Sequence, residues 1–158
     1  LGSIVQGTTG RLHSGMDRLK GFTEEMRELG RVPSSRILER TVVSDPTIAA
    51  LFGLDDSARF LKLVRVRSGD GVPLSRETGW YNLQRAPELE QADLGGSVYA
   101  ALAQLGAPLE RCDQTIEAAQ PSAEESAIFG FDEPVPCLLI KRRSFARDGD
   151  MLEYVEGL

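Results

Sequence analysis

The clearest pattern of apolar and polar positions is a β-hairpin in the middle of the chain. Residues 61–67 and 72–77 have the composition of two strands, and Ser68-Gly69-Asp70-Gly71 between them is typical of a turn. Residues two apart on a strand share a face, so Arg65 and Arg67 project to one side, about 6–7 Å apart. Two guanidinium groups on one surface suit an oxyanion, because their planar donors match phosphate or carboxylate oxygens in pairs. The alternative is that both arginines lie on a solvated face.

Other helices and strands follow from capping residues, glycine stops and apolar runs. Four helices are predicted where a capping residue precedes a short apolar run and glycine follows: Thr23 to Gly30, Asp45 to Gly53, Ser97 to Gly106 and Ser122 to Gly130. Further strands are predicted over residues 36–43, 114–118, 138–145 and 151–155, with a polar loop near residues 84–93. Residues 1–18 have the composition of an interdomain linker, which leaves residues 19–158 as the folded domain.

Part of this pattern occurs twice. A helix ending in Phe-Gly, a strand carrying an arginine and an Asp-Gly turn appear in both halves of the chain, and an offset of 77 residues places Arg65 on Arg142. Two similar helix-hairpin halves predict an α+β domain in which the hairpins join one antiparallel sheet with helices packed on it. Ligands often bind in clefts between such halves. The alternative is that the likeness reflects only common helix stops and turns.

Composition narrows the class of protein. With 158 residues, 41% of them hydrophobic, the chain fits one globular domain. The net charge of −6 predicts that this piece alone binds nucleic acid poorly. No apolar run approaches the length of a membrane span and no signal-peptide pattern opens the chain, so a soluble, cytoplasmic protein with no membrane partner is expected.

Neither metal chemistry nor a nucleophilic catalytic group is evident. Cys112 and Cys137 lack the spacing of a zinc site, and Cys137 is expected to be an ordinary buried cysteine on a strand. The only histidine, His13, falls in the predicted linker. We therefore expect no metal and no cofactor. Trp80 fits the core best, with the pocket wall or a dimer contact as alternatives.

The length of the hairpin loop decides which residues face the arginines. A three-residue loop, Gly69 to Gly71, would place Arg65 opposite Ser75 and put Glu77 diagonally on the same face, whereas a two-residue loop would turn Glu77 to the other face. Glu77 would then accept hydrogen bonds from the polar part of a ligand whose anionic end binds the arginines. The alternative role is an exposed ion pair, worth about 0–1 kcal/mol.

A second candidate element is the segment Gly96-Ser97-Val98-Tyr99 at a predicted helix start. Backbone N–H groups at a helix N-terminus can bind an anion, and the hydroxyl groups of Ser97 and Tyr99 could add donors. Taken alone, Ser97 is an ordinary helix cap.

These motifs together resemble the UTRA effector-sensing domain of HutC-like regulators in the GntR superfamily of bacterial transcription factors. The resemblance covers about residues 19–158 and rests on four groups of residues: Phe22-Thr23-Glu24-Glu25-Met26, the Arg65 hairpin with Glu77, Gly96 to Tyr99, and Asp148-Gly149 followed by Leu152-Glu153-Tyr154. It implies a chorismate-lyase-like α+β fold in a homodimer. It also implies a DNA-binding winged helix-turn-helix that would precede these residues and is missing from this sequence.

The resemblance also implies a binding site. Arg65, Arg67, Ser97 and Tyr99, with backbone near Phe22 and Thr23, correspond to the anionic-group pocket of phosphosugar-sensing members, and Glu77 and Glu153 correspond to contacts with the sugar. Gly21 departs from the serine usual before Phe-Thr-Glu. The chain also stops before a Tyr-Arg-Gly-Asp-like strand, so a truncated last strand is expected.

We therefore expect a regulatory domain that binds a small anionic metabolite, with a phosphosugar or phosphorylated amino sugar favoured, and that controls operator binding allosterically. Two other functions remain open. The same fold carries a lyase that eliminates pyruvate from chorismate, and turnover of chorismate would favour that enzyme. A pure dimerisation module would form a dimer and bind no metabolite.

Overall fold

The fold alternates short helices with long strands. The structure, a computed structural model, describes residues 21–158. The linker predicted over residues 1–18 and His13 lie outside these residues. The helices are α1 (Phe22–Glu28), α2 (Pro46–Phe52), α3 (Val98–Gln104) and α4 (Ala123–Phe129), with a 3-10 turn at Pro87–Gln91. The strands are β1 (Pro33–Val43), β2 (Phe60–Gly69), β3 (Val72–Asn82), β4 (Arg111–Ala119), β5 (Cys137–Phe145) and β6 (Met151–Gly157).

All six strands form one antiparallel sheet in the order β1-β2-β3-β6-β5-β4. Each half of the chain contributes a strand, a helix and then a hairpin: β1-α2-β2-β3 and β4-α4-β5-β6. The two halves meet where β3 pairs with β6. The predicted α+β fold with two similar helix-hairpin halves is confirmed, and Arg65 and Arg142 occupy equivalent strands, β2 and β5.

Both faces of the sheet are covered. On one face, Leu61, Leu63 and Tyr81 pack with Val98 and Leu102 of α3. On the other face, Phe60 packs with Ile48 and Phe52 of α2, and Trp80 packs against this cluster while stacking on Tyr154 at 5.7 Å between ring centroids. Trp80 is therefore a partly buried core residue. Because side chains alternate along a strand, Arg65 and Arg67 share the α3 face with Leu61 and Leu63.

The β2–β3 turn differs from the predicted three-residue loop. Gly69 pairs with Val72, which leaves the two-residue loop Asp70-Gly71, with φ angles of 51° and 78°. Asp70 tolerates this left-handed conformation, and its carboxylate accepts a hydrogen bond from Val32 N at 2.8 Å. A bulge between Arg67 and Ser68 then shifts the register by one residue. The predicted pairing of Arg65 with Ser75 is wrong. The bulge nevertheless places Glu77 on the same face as Arg65 and Arg67, as the three-residue loop predicted.

Most predicted helix ends are confirmed, and one is not. Asp45, Ser97 and Ser122 cap α2, α3 and α4 with their side chains, and Gly53 and Gly130 end helices in the left-handed conformation. The first helix instead begins two residues earlier than expected, with Gly21 rather than Thr23 as its N-cap. The reason is tertiary, because the Thr23 hydroxyl accepts a hydrogen bond from Arg67. Among residues 21–158, no helix is long and apolar enough to cross a membrane.

Candidate functional site

One cavity of about 670 Å³ lies on the α3 face of the sheet. Strands of both halves line it, together with α1, the start of α3 and the end of α4. Every residue predicted for the binding site contributes to its lining: Phe22, Thr23, Arg65, Arg67, Glu77, Ser97, Tyr99 and Glu153. The sheet and the helix starts thus bring together groups that are up to 131 positions apart in sequence. Their contacts with a ligand stay a prediction.

Arg65 and Arg67 share one carboxylate. Arg65 lies directly opposite Glu77 across β2 and β3, and both guanidinium groups approach Glu77 Oε2, at 3.5 Å from Arg65 and 3.3 Å from Arg67. Each arginine is 4% exposed, so this pair of charges is held away from water. Burying two cations requires such compensation, because an unpaired buried charge is strongly unfavourable.

Arg67 connects the sheet to α1. Its Nη2 donates to the Thr23 hydroxyl at 2.7 Å, and its guanidinium carbon lies 4.8 Å from the centre of the Phe22 ring. Burial lowers the pKa of Arg67, and Glu77 partly offsets this effect. The Nε atom of Arg67 is buried without a hydrogen-bond partner. An acceptor from a bound molecule would satisfy it.

Arg65 and Ser97 hold the segment before α3. Arg65 Nη1 donates to the carbonyl oxygen atoms of Leu94 at 3.3 Å and Gly96 at 2.9 Å. The Ser97 hydroxyl accepts from Ala100 N and donates to Glu24 Oε1 at 2.9 Å. The other carboxylate oxygen, Oε2, is buried without a partner. Ser97 is therefore an N-cap, as predicted, whose hydroxyl hydrogen is already donated to α1.

Gly21 has no side chain, and this leaves space beside the Glu24 carboxylate. A Cβ atom built at Gly21 would lie 2.9 Å from Glu24 Oε2 and 3.3 Å from the Tyr99 ring. Glycine therefore leaves room for the Glu24 carboxylate, which the side chain of the serine expected from the resemblance would approach.

Arg142 is a third arginine in the cavity, and the sequence prediction of the site omitted it. Its Nη1 donates to the Tyr99 hydroxyl, and its Nε and Nη2 donate to Gln114 Oε1 at 3.1 and 2.9 Å. Burial would lower the pKa of Arg142, but the Tyr99 hydroxyl and Glu153 outweigh it, and the pKa lies above its ordinary value. The internal repeat, which aligns Arg142 with Arg65, was the signal that could have identified it.

Glu153 is a buried carboxylate in the lining of the cavity. It is 2% exposed, and its Oε1 accepts from the Ser144 hydroxyl at 2.8 Å. Burial raises the pKa of Glu153, while Ser144 and Arg142 partly oppose the shift. Burial also raises the pKa of Tyr99 and of Tyr81, and in both cases Glu153 adds to the shift. All three groups are held where proton loss is disfavoured.

The lining is mixed in charge rather than purely cationic. It contains three arginines (Arg65, Arg67 and Arg142) and four glutamates (Glu24, Glu25, Glu77 and Glu153). Such a lining can bind an oxyanion and, beside it, the hydroxyl or amino groups of the same molecule. Within residues 21–158, no group of three or more histidine, cysteine or carboxylate side chains is arranged to hold a metal ion.

Cys137 departs from its expected position. It is the first residue of β5, is only partly buried and lines the cavity, so the prediction of a buried strand cysteine is wrong. Its neighbours Leu138 and Ile140 line the same cavity.

Comparison with known proteins decides the family. A family model described as the UTRA domain matches residues 28–158. The chain belongs to the UTRA domain family. The resemblance found from the sequence is confirmed, and the fold agrees with it. The effector domain of PhnF from Mycobacterium smegmatis superposes with a TM-score of 0.82 at 29% sequence identity, over 92% of this chain and 89% of that one.

Two longer proteins are also similar to this UTRA domain. The HTH-type transcriptional repressor NagR of Bacillus subtilis is 27% identical over 150 residues, 94% of this chain and 62% of its own length. The HTH-type transcriptional repressor PhnF of Mycolicibacterium smegmatis is 33% identical over 140 residues, 87% of this chain and 57% of its own length. The chain thus spans about six tenths of the length of these relatives. These relatives are transcriptional regulators and not enzymes, which agrees with the expectation that this domain is not a chorismate-lyase-like enzyme.

Proposed function

We propose that this UTRA domain is the effector-sensing part of a bacterial transcriptional regulator and binds a small anionic metabolite, with a phosphosugar or phosphorylated amino sugar favoured. The observation that carries the proposal is the cavity in which buried Arg65 and Arg67 and partly buried Arg142 meet hydroxyl groups and carboxylates. Guanidinium groups bind the oxyanion, and the glutamates accept hydrogen bonds from hydroxyl or amino groups on the rest of the metabolite.

Arg67 is the residue best placed to sense the anion. Its Nε has no partner, and its other contacts, to Thr23, Phe22 and Glu77, lie within the same cavity. An oxyanion on Arg67 would supply the missing acceptor and share the guanidinium with Glu77. Arg65, by contrast, already donates to two carbonyl groups of the segment before α3 and acts mainly by holding that segment.

The regulatory step is a shift between two orientations of the DNA-binding part. The relatives NagR and PhnF are named as HTH-type repressors and are longer than this chain, so we place a winged helix-turn-helix before residue 1. Because α1 follows directly on the residues that would join the two parts, a ligand that fixes Arg67 against Thr23 also fixes the start of the domain. An effector that binds one orientation more tightly raises the population of that orientation. The regulator would act as a cytoplasmic homodimer.

Titration calorimetry tests the proposal. Glucosamine 6-phosphate and N-acetylglucosamine 6-phosphate are compared with their unphosphorylated parents. We expect the phosphorylated compounds to bind and the parents to bind at least tenfold more weakly. Equal binding of the two classes would exclude the phosphate assignment. The absence of binding by all four compounds would exclude the sugar phosphate assignment, whereas a pure dimerisation module would be a dimer that binds no metabolite of any class.

A further inference from the structure

The cavity has an apolar side that the proposed sugar phosphate does not use. Six hydrophobic residues form this apolar wall, and they come from the start of β3, the end of α4 with the residue pair after it, and the first half of β5: Val72, Leu74, Phe129, Phe131, Leu138 and Ile140. The rings of Phe129 and Phe131 lie 5.6 Å apart, centre to centre, in a tilted arrangement. The apolar wall therefore has both aromatic and aliphatic surface.

The strand register explains why a charged end and an apolar end belong to one cavity. Along β5, Arg142, Ile140 and Leu138 lie two residues apart and all line the cavity. Neighbours of this kind are about 6–7 Å apart on a strand. A molecule whose anionic group binds Arg142 would lie about 6–7 Å along the strand from Ile140 and about 13 Å from Leu138, so a chain of several carbons would be needed to cover both.

The apolar wall is exposed to an unusual degree. Leu138 is 59% exposed, Val72 55% and Leu74 40%. Single exposed leucines are common, but several around one cavity indicate a surface that is covered when the protein acts. The cavity volume of about 670 Å³ is within the range of sites that enclose drug-sized ligands, roughly 300–1,000 Å³.

We infer that the effector is amphiphilic: besides its anionic group it carries an acyl, alkyl or aryl group of several carbons, which lies on the apolar wall. The arginines favour this occupant over a purely apolar one, because Arg65, Arg67 and Arg142 line the same cavity as the apolar wall. The inference rests on the proposed function, since it places the anionic group on the arginines. It adds the chemical class of the remainder of the effector.

A series of alkyl phosphates tests the inference. Ethyl, butyl, hexyl and octyl phosphate are titrated into the protein, below their aggregation concentrations, with octyl glucoside as an uncharged molecule of equal chain length. We expect affinity to rise up to about fourfold for each added methylene group, from about 0.8 kcal/mol per buried methylene, and then level off when the apolar wall is covered. Octyl glucoside should bind far more weakly than octyl phosphate, because it offers the arginines no oxyanion.

Two substitutions in the apolar wall locate the alkyl chain. Ile140→Thr keeps a β-branched residue on β5 and removes apolar surface, and Leu138→Ser changes a residue already exposed. Both should reduce the ratio of octyl to ethyl phosphate affinity several-fold and leave ethyl phosphate binding unchanged. The matched control is Ile116→Thr, because Ile116 pairs with Ile140 across β4 and β5 but does not line the cavity.

The outcomes separate the inference from the proposed function. Equal affinity for ethyl and octyl phosphate would overturn the inference alone, because the apolar wall would then not contact the alkyl chain. A chain-length dependence that persists in both variants would also overturn it. If no phosphate compound binds, both the proposed function and the inference of an amphiphilic effector are contradicted. If octyl glucoside binds as tightly as octyl phosphate, the arginines do not bind the anionic group.

Discussion

Arg65 on β2 lies directly opposite Glu77 on β3, and Glu77 Oε2 lies between Arg65 and Arg67. The bulge after Arg67 makes this arrangement possible, because without it the two-residue turn would direct Glu77 to the α2 face. A local irregularity in one hairpin therefore brings the carboxylate to the cavity. The two arginines nevertheless differ in their remaining contacts, which leads to different expectations for their variants.

Arg67→Ala should weaken binding of the phosphorylated effector roughly 10- to 150-fold, the loss expected for a charge-assisted hydrogen bond of about 1.5–3 kcal/mol. Arg65→Ala should lower the free energy of unfolding as well, because it frees the carbonyl groups of Leu94 and Gly96. Calorimetry and urea unfolding measure the two effects. Arg59→Ala is the control, since Arg59 forms only an exposed ion pair with Glu90. Unchanged affinity in both cavity variants would remove these arginines from the site.

Arg142→Gln should also reduce effector affinity, by about tenfold or more, because the charge is lost and the Tyr99 hydroxyl loses its donor. Arg143→Gln provides a matched comparison, as Arg143 is the next residue on β5, is exposed and does not line the cavity. Calorimetry with the same phosphorylated compounds measures the effect. Equal affinities of the two variants would restrict Arg142 to holding Tyr99 and Gln114 in place.

Glu153 should make stability depend on pH. Its pKa in the folded protein lies above the ordinary value of 4.5 because it is buried. Between these two values the folded state binds more protons than the unfolded state, so the free energy of unfolding falls as the pH rises. Glu153→Gln keeps an acceptor for the Ser144 hydroxyl but cannot ionise, and it should lose this part of the pH dependence. Urea unfolding at a series of pH values above 4.5 measures the slope, and parallel curves for the two proteins would contradict the prediction.

Gly79→Ala should destabilise the domain by about 1–3 kcal/mol although alanine is ordinarily no worse than glycine in a strand. A Cβ atom at residue 79 would lie 2.9 Å from Tyr81 Cε2 and Oη, so the buried ring would have to move. At Gly95 the nearest atom to an added Cβ is 3.4 Å away, which makes Gly95→Ala the comparison. Similar unfolding midpoints for the two variants would show that Tyr81 can move at little cost.

The sequence predicted the parts of this fold that depend on local chemistry. Asp45, Ser97 and Ser122 cap helices because their short polar side chains satisfy nearby N–H groups, and no distant residue is needed for that. The N-cap of α1 could not be predicted in this way. The Thr23 hydroxyl could accept a hydrogen bond from an N–H group of the first helical turn or from a distant side chain. It accepts one from Arg67, which is 44 residues away.

The site shows the same division. The shared face of Arg65, Arg67 and Glu77 was predicted correctly, but by way of the wrong turn, because glycine and aspartate fit both loop lengths and a bulge has no clear sequence signal. Arg142 was visible as the repeat partner of Arg65, yet only the folded sheet brings the two strands to one cavity. Cys137 was misjudged because the absence of zinc spacing does not show whether a cysteine lies in a sealed core or lines a cavity.

The pairing of β3 with β6 joins the two halves of the domain beneath the cavity. The strands of the two halves pair there through five residues each, from Glu77 to Tyr81 on one side and from Glu153 to Gly157 on the other. A ligand that binds Arg67 of the first half and Arg142 of the second would cross the β3–β6 junction and link the two halves reversibly. Binding of an effector would then restrict the motion of one half of the domain relative to the other.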